Sequence, residues 1–357
     1  MPHDAYRARL LAVGPLPARI LIVSDAWEPQ VNGVVRTLQT VRGELRALGH
    51  SVEVIGPDRF RTLPCPTYPD IRLSLFPARR LGKLIEGFRP DALHIATEGP
   101  LGMAARAWAR KRGCAFTTAF HTRFPEYVQA RTRLPTGIFY RFLRRFHGAG
   151  QGMMVATESL RADLTGRGFS HVRAWSRGVD LDLFEPLAKS EQEGWNDLPR
   201  PIFIYVGRVA VEKNIRAFLD LDLPGSKIVV GDGPQLAALR RDYSGVHFTG
   251  ARHGKALVSA YASADVFVFP SRTDTFGLVI LEALACGTPV AAFQVTGPKD
   301  VLANADGAIG AVHADLRAAC LLALDADRAA CRAHAERFSW RACAEMFLSH
   351  LVPLGGH

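Results

Sequence analysis

Short apolar runs rich in branched residues alternate with longer amphipathic stretches along the whole chain, and that alternation admits few folds. In the first half, residues 19–25, 51–56, 92–97, 114–120, 153–157 and 172–175 read as buried strands. Between them, residues 34–48, 79–88, 101–112, 136–147 and 159–167 show the periodicity of helices with one apolar face. The second half repeats the pattern, with strands expected at 202–206, 227–230, 246–249, 266–269 and 289–293. Its helices are expected at 212–221, 234–243, 254–263 and 277–286, and two further helical stretches, 315–336 and 340–351, close the chain. Strands separated by helices form parallel sheets through right-handed crossovers. Two such series predict an α/β chain of two doubly wound, Rossmann-like domains.

The length agrees, since 357 residues exceed one ordinary core and suit two domains of roughly 150–180 residues. The join is expected within 185–201, a polar, proline-bearing stretch without apolar periodicity, so the N-terminal domain is taken as 1–185. The six cysteines, at 65, 114, 286, 320, 331 and 343, form no C-x-x-C pair and suit a reducing cytosol. Residues 1–17 lack the apolar core of a signal peptide, and no stretch reaches the 18 apolar residues of a membrane span.

The formal net charge of +10 is unevenly placed. Residues 1–185 hold 27 Lys and Arg against 16 Asp and Glu, whereas residues 186–357 hold 17 against 18. A basic half points to an anionic partner. No nucleic-acid-binding fold is visible, so an anionic membrane face is the expected partner and nucleic acid is not. Arg79-Arg80-x-x-Lys83, the basic run from Arg106 to Arg112, and Arg141-Phe-Leu-Arg144-Arg145-Phe146 carry the excess. The last interleaves cations with aromatic residues as an interfacial helix does.

Ligands of open α/β sheets bind beyond the carboxyl ends of the strands, and the polar residues at those ends are distinctive. Phe267-Val-Phe-Pro-Ser271 leads into a turn with Asp274, then a helix opening near Gly277 and ending at Gly287 before Pro289. The helix start offers unpaired N–H groups and a positive dipole end to a phosphate, and Gly277 permits close approach. Glu282, about one and a half turns in, suits ribose hydroxyls. Taken alone, Asp274 would be an N-cap-type residue and Glu282 a solvated one. Tyr205-Val-Gly207-Arg208-Val-Ala-Val-Glu-Lys213-Asn214 also follows a strand, placing Arg208 and Lys213 to meet a diphosphate. Gly231-Asp-Gly233-Pro234 and Gly250-Ala-Arg252 are further turns at strand ends. In the first half, Asp25, the Asn32-Gly33 turn, Glu98, His121 and Arg123 all fall at or just past strand ends.

The stretch Asp274-x7-Glu282 resembles the signature of glycosyltransferase family 4, retaining enzymes of the GT-B architecture, in which two acids stand seven residues apart. Gly207-Arg208 with Lys213-Asn214 resembles that family's second element. The resemblance runs from Ile20 to Trp340. It looks most like the branch of sulfoquinovosyl- and glucuronosyl-diacylglycerol synthases and bacterial α-mannosyltransferases. It implies two Rossmann-like domains facing across a cleft, with 186–339 as the nucleotide-sugar domain and 340–357 returning to the first domain. It also implies a nucleotide-diphosphate sugar as co-substrate with no metal required: Arg208 and Lys213 steady the leaving diphosphate, the first acid reads the sugar and the second holds the ribose. His121 matches the family's active-site histidine. Gly33, Gly231, Gly233, Arg252, Thr275, Phe276, Gly277 and Leu278 complete the donor side, and Asp25, Asn32, Glu98 and Arg123 are acceptor-side candidates. The first acid is Asp274 where Glu is commoner, which bears on the sugar and not on the reaction class.

The expected activity is retaining transfer of a hexose or hexuronate to a hydroxyl of a membrane lipid such as diacylglycerol, or of a lipid-linked sugar. The expected location is the inner face of the cytoplasmic membrane. A mannosyltransferase using GDP-mannose on a non-lipid or polysaccharide acceptor, a nucleotide-sugar epimerase and a non-catalytic nucleotide-sugar-binding module are the alternatives. The epimerases of this architecture lack the Arg–Lys pair in this acidic context.

Overall fold

The computed structural model describes residues 18–30, 32–65, 68–126, 129, 135–188, 195, 197–303 and 307–355. It divides into two compact units. Unit 1 comprises Met1–Ser176 with Trp340–His357, and unit 2 comprises Arg177–Ser339. The units therefore part at 176/177, nine residues before the 185/186 division drawn from composition, because the strand Val172–Ala174 is followed by an extended segment whose Val179 already bridges to Ser339 of unit 2.

Unit 1 is built on a parallel sheet of β1 (Arg19–Val23), β2 (Ser51–Ile55), β5 (Ala92–Ile95), β6 (Thr117–Phe120), β7 (Gly152–Val155) and β8 (Val172–Ala174), in the order β2-β1-β5-β6-β7-β8. Strands β1, β5, β6 and β7 are almost wholly buried, which is why they read as continuous apolar runs instead of alternating ones. Helices α2 (Ala78–Phe88), α3 (Pro100–Lys111), α4 (Thr136–His147) and α5 (Glu158–Gly166) follow in turn. Leu81 and Ile85 of α2, Leu101, Ala105 and Ala109 of α3, and Phe146 of α4 pack with Leu21, Val23, Leu93 and Ile95, so these helices cover one face of the sheet. The other face receives α1 (Gly33–Ala47) and α13 (Trp340–His350), which pack on each other. There the His94 ring meets Phe347 edge-on at 4.8 Å, and Trp175 Nε1 donates to Cys343 O at 3.1 Å.

Unit 2 repeats the design with β9 (Ile202–Val206), β10 (Ser226–Val230), β11 (His247–Gly250), β12 (Val266–Phe269), β13 (Val290–Phe293) and β14 (Gly310–His313), ordered β11-β10-β9-β12-β13-β14. Its helices are α6 (Arg216–Leu219), α7 (Leu236–Asp242), α8 (Gly254–Ala262), α9 (Leu278–Ala285), α10 (Pro298–Val301), α11 (Leu316–Leu322) and α12 (Arg328–Ala335). Two expectations change. The single helix expected over 315–336 is two helices joined by a 3-10 turn, because Asp327 caps a new start by accepting from Ala329 N. The helix expected over 212–221 is a 3-10 turn at 211–213 and a short α6, since Asn214 takes a left-handed conformation at φ 53°. An antiparallel hairpin of β3 (Thr62–Cys65) and β4 (Tyr68–Ser74) lies outside the expected list.

Two buried histidines set an acid limit on this fold. His50 Nδ1 accepts from Ala18 N at 3.3 Å, and His334 Nε2–H donates to Val301 O at 2.7 Å. Burial holds both rings below the ordinary histidine range. The unfolded chain therefore takes up protons first as pH falls through about 6.5, and stability is present above that pH and lost below it. Thermal unfolding should come earlier at pH 5.5 than at 7.5. His50→Asn, which keeps an acceptor without the titration, should shrink that gap; an unchanged gap would sink the assignment.

Candidate active site

The strand order of unit 2 reverses direction at β9 and β12: β10 and β11 extend one way, β13 and β14 the other. Loops leaving the carboxyl ends of such a pair diverge and leave a crevice. The loop after β9 carries Arg208 and Lys213, and the loop after β12 carries Asp274. The structure joins them: Lys213 Nζ stands 2.6 Å from Asp274 Oδ1 across 61 residues of sequence. Local bonds fix both loops. Tyr205, whose hydroxyl is pushed up in pKa by burial and stays protonated, donates to Arg208 O at 2.8 Å. Asn214 Nδ2 donates to Pro270 O at 3.0 Å, tying the two loops together beside the ion pair.

Among the described residues, Asp274 Oδ2 and Ser271 Oγ are buried without hydrogen-bond partners. Buried polar atoms are rarely left so, and two on one loop beside a lysine fit a ligand rich in hydroxyls. Gly277, at φ 87°, opens α9 in a conformation that side chains with a Cβ rarely adopt, and leaves the helix start to Thr275, Gly277 and Leu278, all partly exposed. Phe276 lies deeper, 6% exposed, edge-on to Phe338 at 6.4 Å, so it anchors the turn from beneath. Glu282 is only 3% exposed, and Tyr261 donates its hydroxyl to Glu282 Oε2 at 3.1 Å. Tyr261 was not legible as a site residue: its partner lies 21 residues away and no local motif marks it. Gly231 and Gly233 follow β10 and pack on the backbone of Gly207 and Val209, and Arg252 sits partly exposed just past β11.

Unit 1 has its own reversal point, between β1 and β5. Asp25, Glu98, His121 and Arg123 lie on loops at the carboxyl ends of its strands, and Gly33 opens α1. His121 follows β6, and its ring meets Trp175 edge-on at 5.7 Å. Gly33 is exposed at the first turn of α1. Three acceptor-side candidates are committed to the fold. Asp25 Oδ1 accepts from Leu101 N at 2.8 Å, and Oδ2 from Gly102 N at 3.2 Å and Thr97 Oγ1 at 2.9 Å. The two backbone N–H groups are orphan donors of α3, whose N-cap is the side-chain-less Gly99, so Asp25 caps that helix from a distant loop. Its carboxyl is raised in pKa, first by burial and last by the charge of nearby Glu98. Asn32 Oδ1 caps α1 by accepting from Val34 N and Val35 N, each at 3.0 Å. Arg123 pairs with Asp163 at 3.0 Å and lies 3.6 Å from Glu126. Glu98 differs: one oxygen meets His147, and the side chain is 24% exposed.

Twin Rossmann-like units, one with a cation–acid pair and a helix start at its reversal point, define a glycosyltransferase that works from a nucleotide-activated sugar. The chain belongs to glycosyltransferase family 4: residues 31–183 match the model described as Glycosyltransferase Family 4, and residues 200–325 match Glycosyl transferases group 1. A GDP-mannose-dependent alpha-mannosyltransferase of Mycobacterium tuberculosis is 32% identical over 306 residues, covering 80% of this chain and 81% of the relative. An alpha-monoglucosyldiacylglycerol synthase of Streptococcus pneumoniae is 28% identical, covering 77% and 70%. The fold is that of a sucrose-phosphate synthase from Thermosynechococcus elongatus, with a TM-score of 0.71 at 21% identity over 92% of this chain and 96% of the other.

Proposed function

We propose that this enzyme transfers a hexose or hexuronate, with retention and without a metal, from a nucleotide-diphosphate sugar to a membrane lipid hydroxyl such as that of diacylglycerol, or to a lipid-linked sugar. On this reading Arg208 and Lys213 stabilise the charge that grows on the departing diphosphate, the task a cation performs at other sites. Asp274 reads the sugar's hydroxyls with its open oxygen, Glu282 holds the ribose, and His121 supports the sugar as positive charge develops. A phosphate oxygen leaving on the same face would help deprotonate the acceptor, and Glu98 would meet that acceptor.

The single observation that favours a lipid is the outer surface of the α2–α3–α4 layer. Arg79, Arg80, Lys83, Arg110, Lys111, Arg141, Arg144 and Arg145 are exposed there, and α4 adds Ile138 at 58% and Phe142 at 45% exposure. Cations around exposed apolar side chains on one layer suit an anionic lipid surface, where each contributes about 1 kcal/mol near the membrane. No helix among the described residues is long and apolar enough to cross a membrane, so the proposal is peripheral binding at the inner face of the cytoplasmic membrane. The relatives' printed names include both a GDP-mannose donor and a monoglucosyldiacylglycerol product.

The test is a panel of UDP- and GDP-sugars offered with vesicles of diacylglycerol and anionic phospholipid. Free nucleotide diphosphate and an α-linked glycolipid should appear together, and release should fall at least about tenfold with neutral vesicles or in high salt. Equal transfer to soluble sugars without vesicles would favour the non-lipid mannosyltransferase reading. No turnover with any donor would leave a binding module.

A further inference from the structure

Unit 1 holds a buried histidine whose two ring nitrogens are both engaged and which no sequence motif marks. His147 closes α4 at 3% exposure, with the rings of Phe120, Phe146 and Phe169 at 6.1, 5.1 and 6.2 Å around it. Its Nε2 lies 3.1 Å from Glu98 Oε1 and its Nδ1 lies 2.9 Å from Thr118 Oγ1. An ionised carboxylate can only accept, so Nε2–H donates to Glu98, while Nδ1 meets the Thr118 hydroxyl, a group able to donate or accept. The Thr118 hydroxyl is also 3.4 Å from Gly152 O, a longer and weaker contact.

The register of the sheet says where this bond points. Ile95 of β5 pairs with Thr118 of β6. Glu98 lies three residues past the end of β5 and His121 directly past the end of β6, so both leave the carboxyl edge of neighbouring strands. Glu98 is 24% exposed, and its second oxygen takes no hydrogen bond from the described residues. The segment does not need His147 to hold its shape, because Thr97 is already bonded to Asp25 and Asp25 caps α3. What the imidazole adds is a fixed direction for one carboxylate.

We infer that His147 is a positioning residue for the acceptor step: Thr118 anchors its ring at Nδ1, and its Nε2–H holds Glu98 so that the open oxygen faces an acceptor hydroxyl at the sheet edge that His121 also leaves. This rests on the reading of Glu98 as the acceptor-side carboxylate. The orientation comes from α4, a different element from the one that carries the carboxylate.

Two amide substitutions test it, since they are of similar polarity but different reach. His147→Gln carries an amide N–H to where Nε2 stands and should keep acceptor kcat/KM within about threefold of the native enzyme. His147→Asn reaches only the Nδ1 position, keeps Thr118 and loses Glu98. It should cut acceptor kcat/KM about 10- to 100-fold, the size of effect that a misplaced reacting group produces, with donor KM and acceptor-free nucleotide release unchanged. Equal losses in both variants, losses that track melting temperature, or no loss in His147→Asn would overturn the inference. Glu98→Gln separates the two layers of the reading. Native-like transfer in that variant removes the acceptor role of Glu98 and His147 together. Impaired transfer in Glu98→Gln beside native-like His147→Asn leaves Glu98 in place and removes only His147.

Discussion

Lys213→Ala is expected to lower kcat about 100- to 1000-fold while the donor KM moves only a few-fold, because the lost charge matters most when the diphosphate departs. The ammonium sits on a short 3-10 turn that Asn214 closes in a left-handed conformation and pins to Pro270. It therefore points from a fixed base and not from a mobile loop. The substitution has a second consequence: it leaves the Asp274 carboxylate with neither oxygen partnered by a described side chain. Losing the partner of a buried polar group costs about 1–3 kcal/mol, and the cost here falls at the low end because the two side chains keep 26% and 15% exposure. Stability and catalysis can thus be separated. Adding Asp274→Asn to Lys213→Ala should restore the melting temperature, since an amide needs no counter-charge, and should leave kcat as low as before or lower. A rise in KM with native kcat would mean that Lys213 binds donor and transition state alike, and the leaving-group role would fall.

That pair also shows what a sequence can disclose. Each residue ends a strand, and the motif spacing named both, yet nothing local says that they touch across 61 residues. The contact depends on strand order, because only when β9 and β12 are neighbours do their loops diverge from one crevice. Strand periodicity reports burial and does not report order. The acceptor side was harder to read for a related reason. Asp25 has the position of a ligand-binding acid, but Gly99 offers α3 no capping side chain, and Asp25 supplies the cap from another loop. His147 reads in sequence as one more residue on the buried face of α4, and Tyr261 as core. The hairpin of β3 and β4 was hidden by the prolines in and between its strands, which weaken any strand signal; Pro64 and Pro69 are tolerated where ladder bonds can be spared. Helical runs were legible in position but not in continuity, as Asp327 shows by starting α12 within a stretch that looks unbroken.

Gly231→Ala should be the most damaging small substitution in unit 2, lowering its thermal stability strongly and abolishing measurable donor use with it. Gly231 directly follows β10 at φ 150°, and a Cβ built there would lie 1.8 Å from Gly207 O and 2.9 Å from Gly207 C. Those atoms are backbone, so no rotamer change relieves the clash. Overpacking of this kind costs about 1–3 kcal/mol or more where the chain cannot shift, and here shifting is constrained from both sides. Gly207 N donates to Val230 O at 3.0 Å and Gly231 N donates to Gly250 O at 2.9 Å, which binds the ends of β9, β10 and β11 together. Any displacement of Gly207 carries Arg208 with it and alters the approach of Lys213 to Asp274. Gly250→Ala is the control: its φ is also positive, at 80°, but a Cβ there meets nothing within 4 Å. That variant should show only the strain of a left-handed alanine, about 1–2 kcal/mol, with donor KM close to native. If the two variants melt together and bind donor equally, backbone conformation alone explains the glycines. If Gly231→Ala loses donor binding while Gly250→Ala does not, close packing of bare backbone at the strand ends is what holds the cationic loop in place.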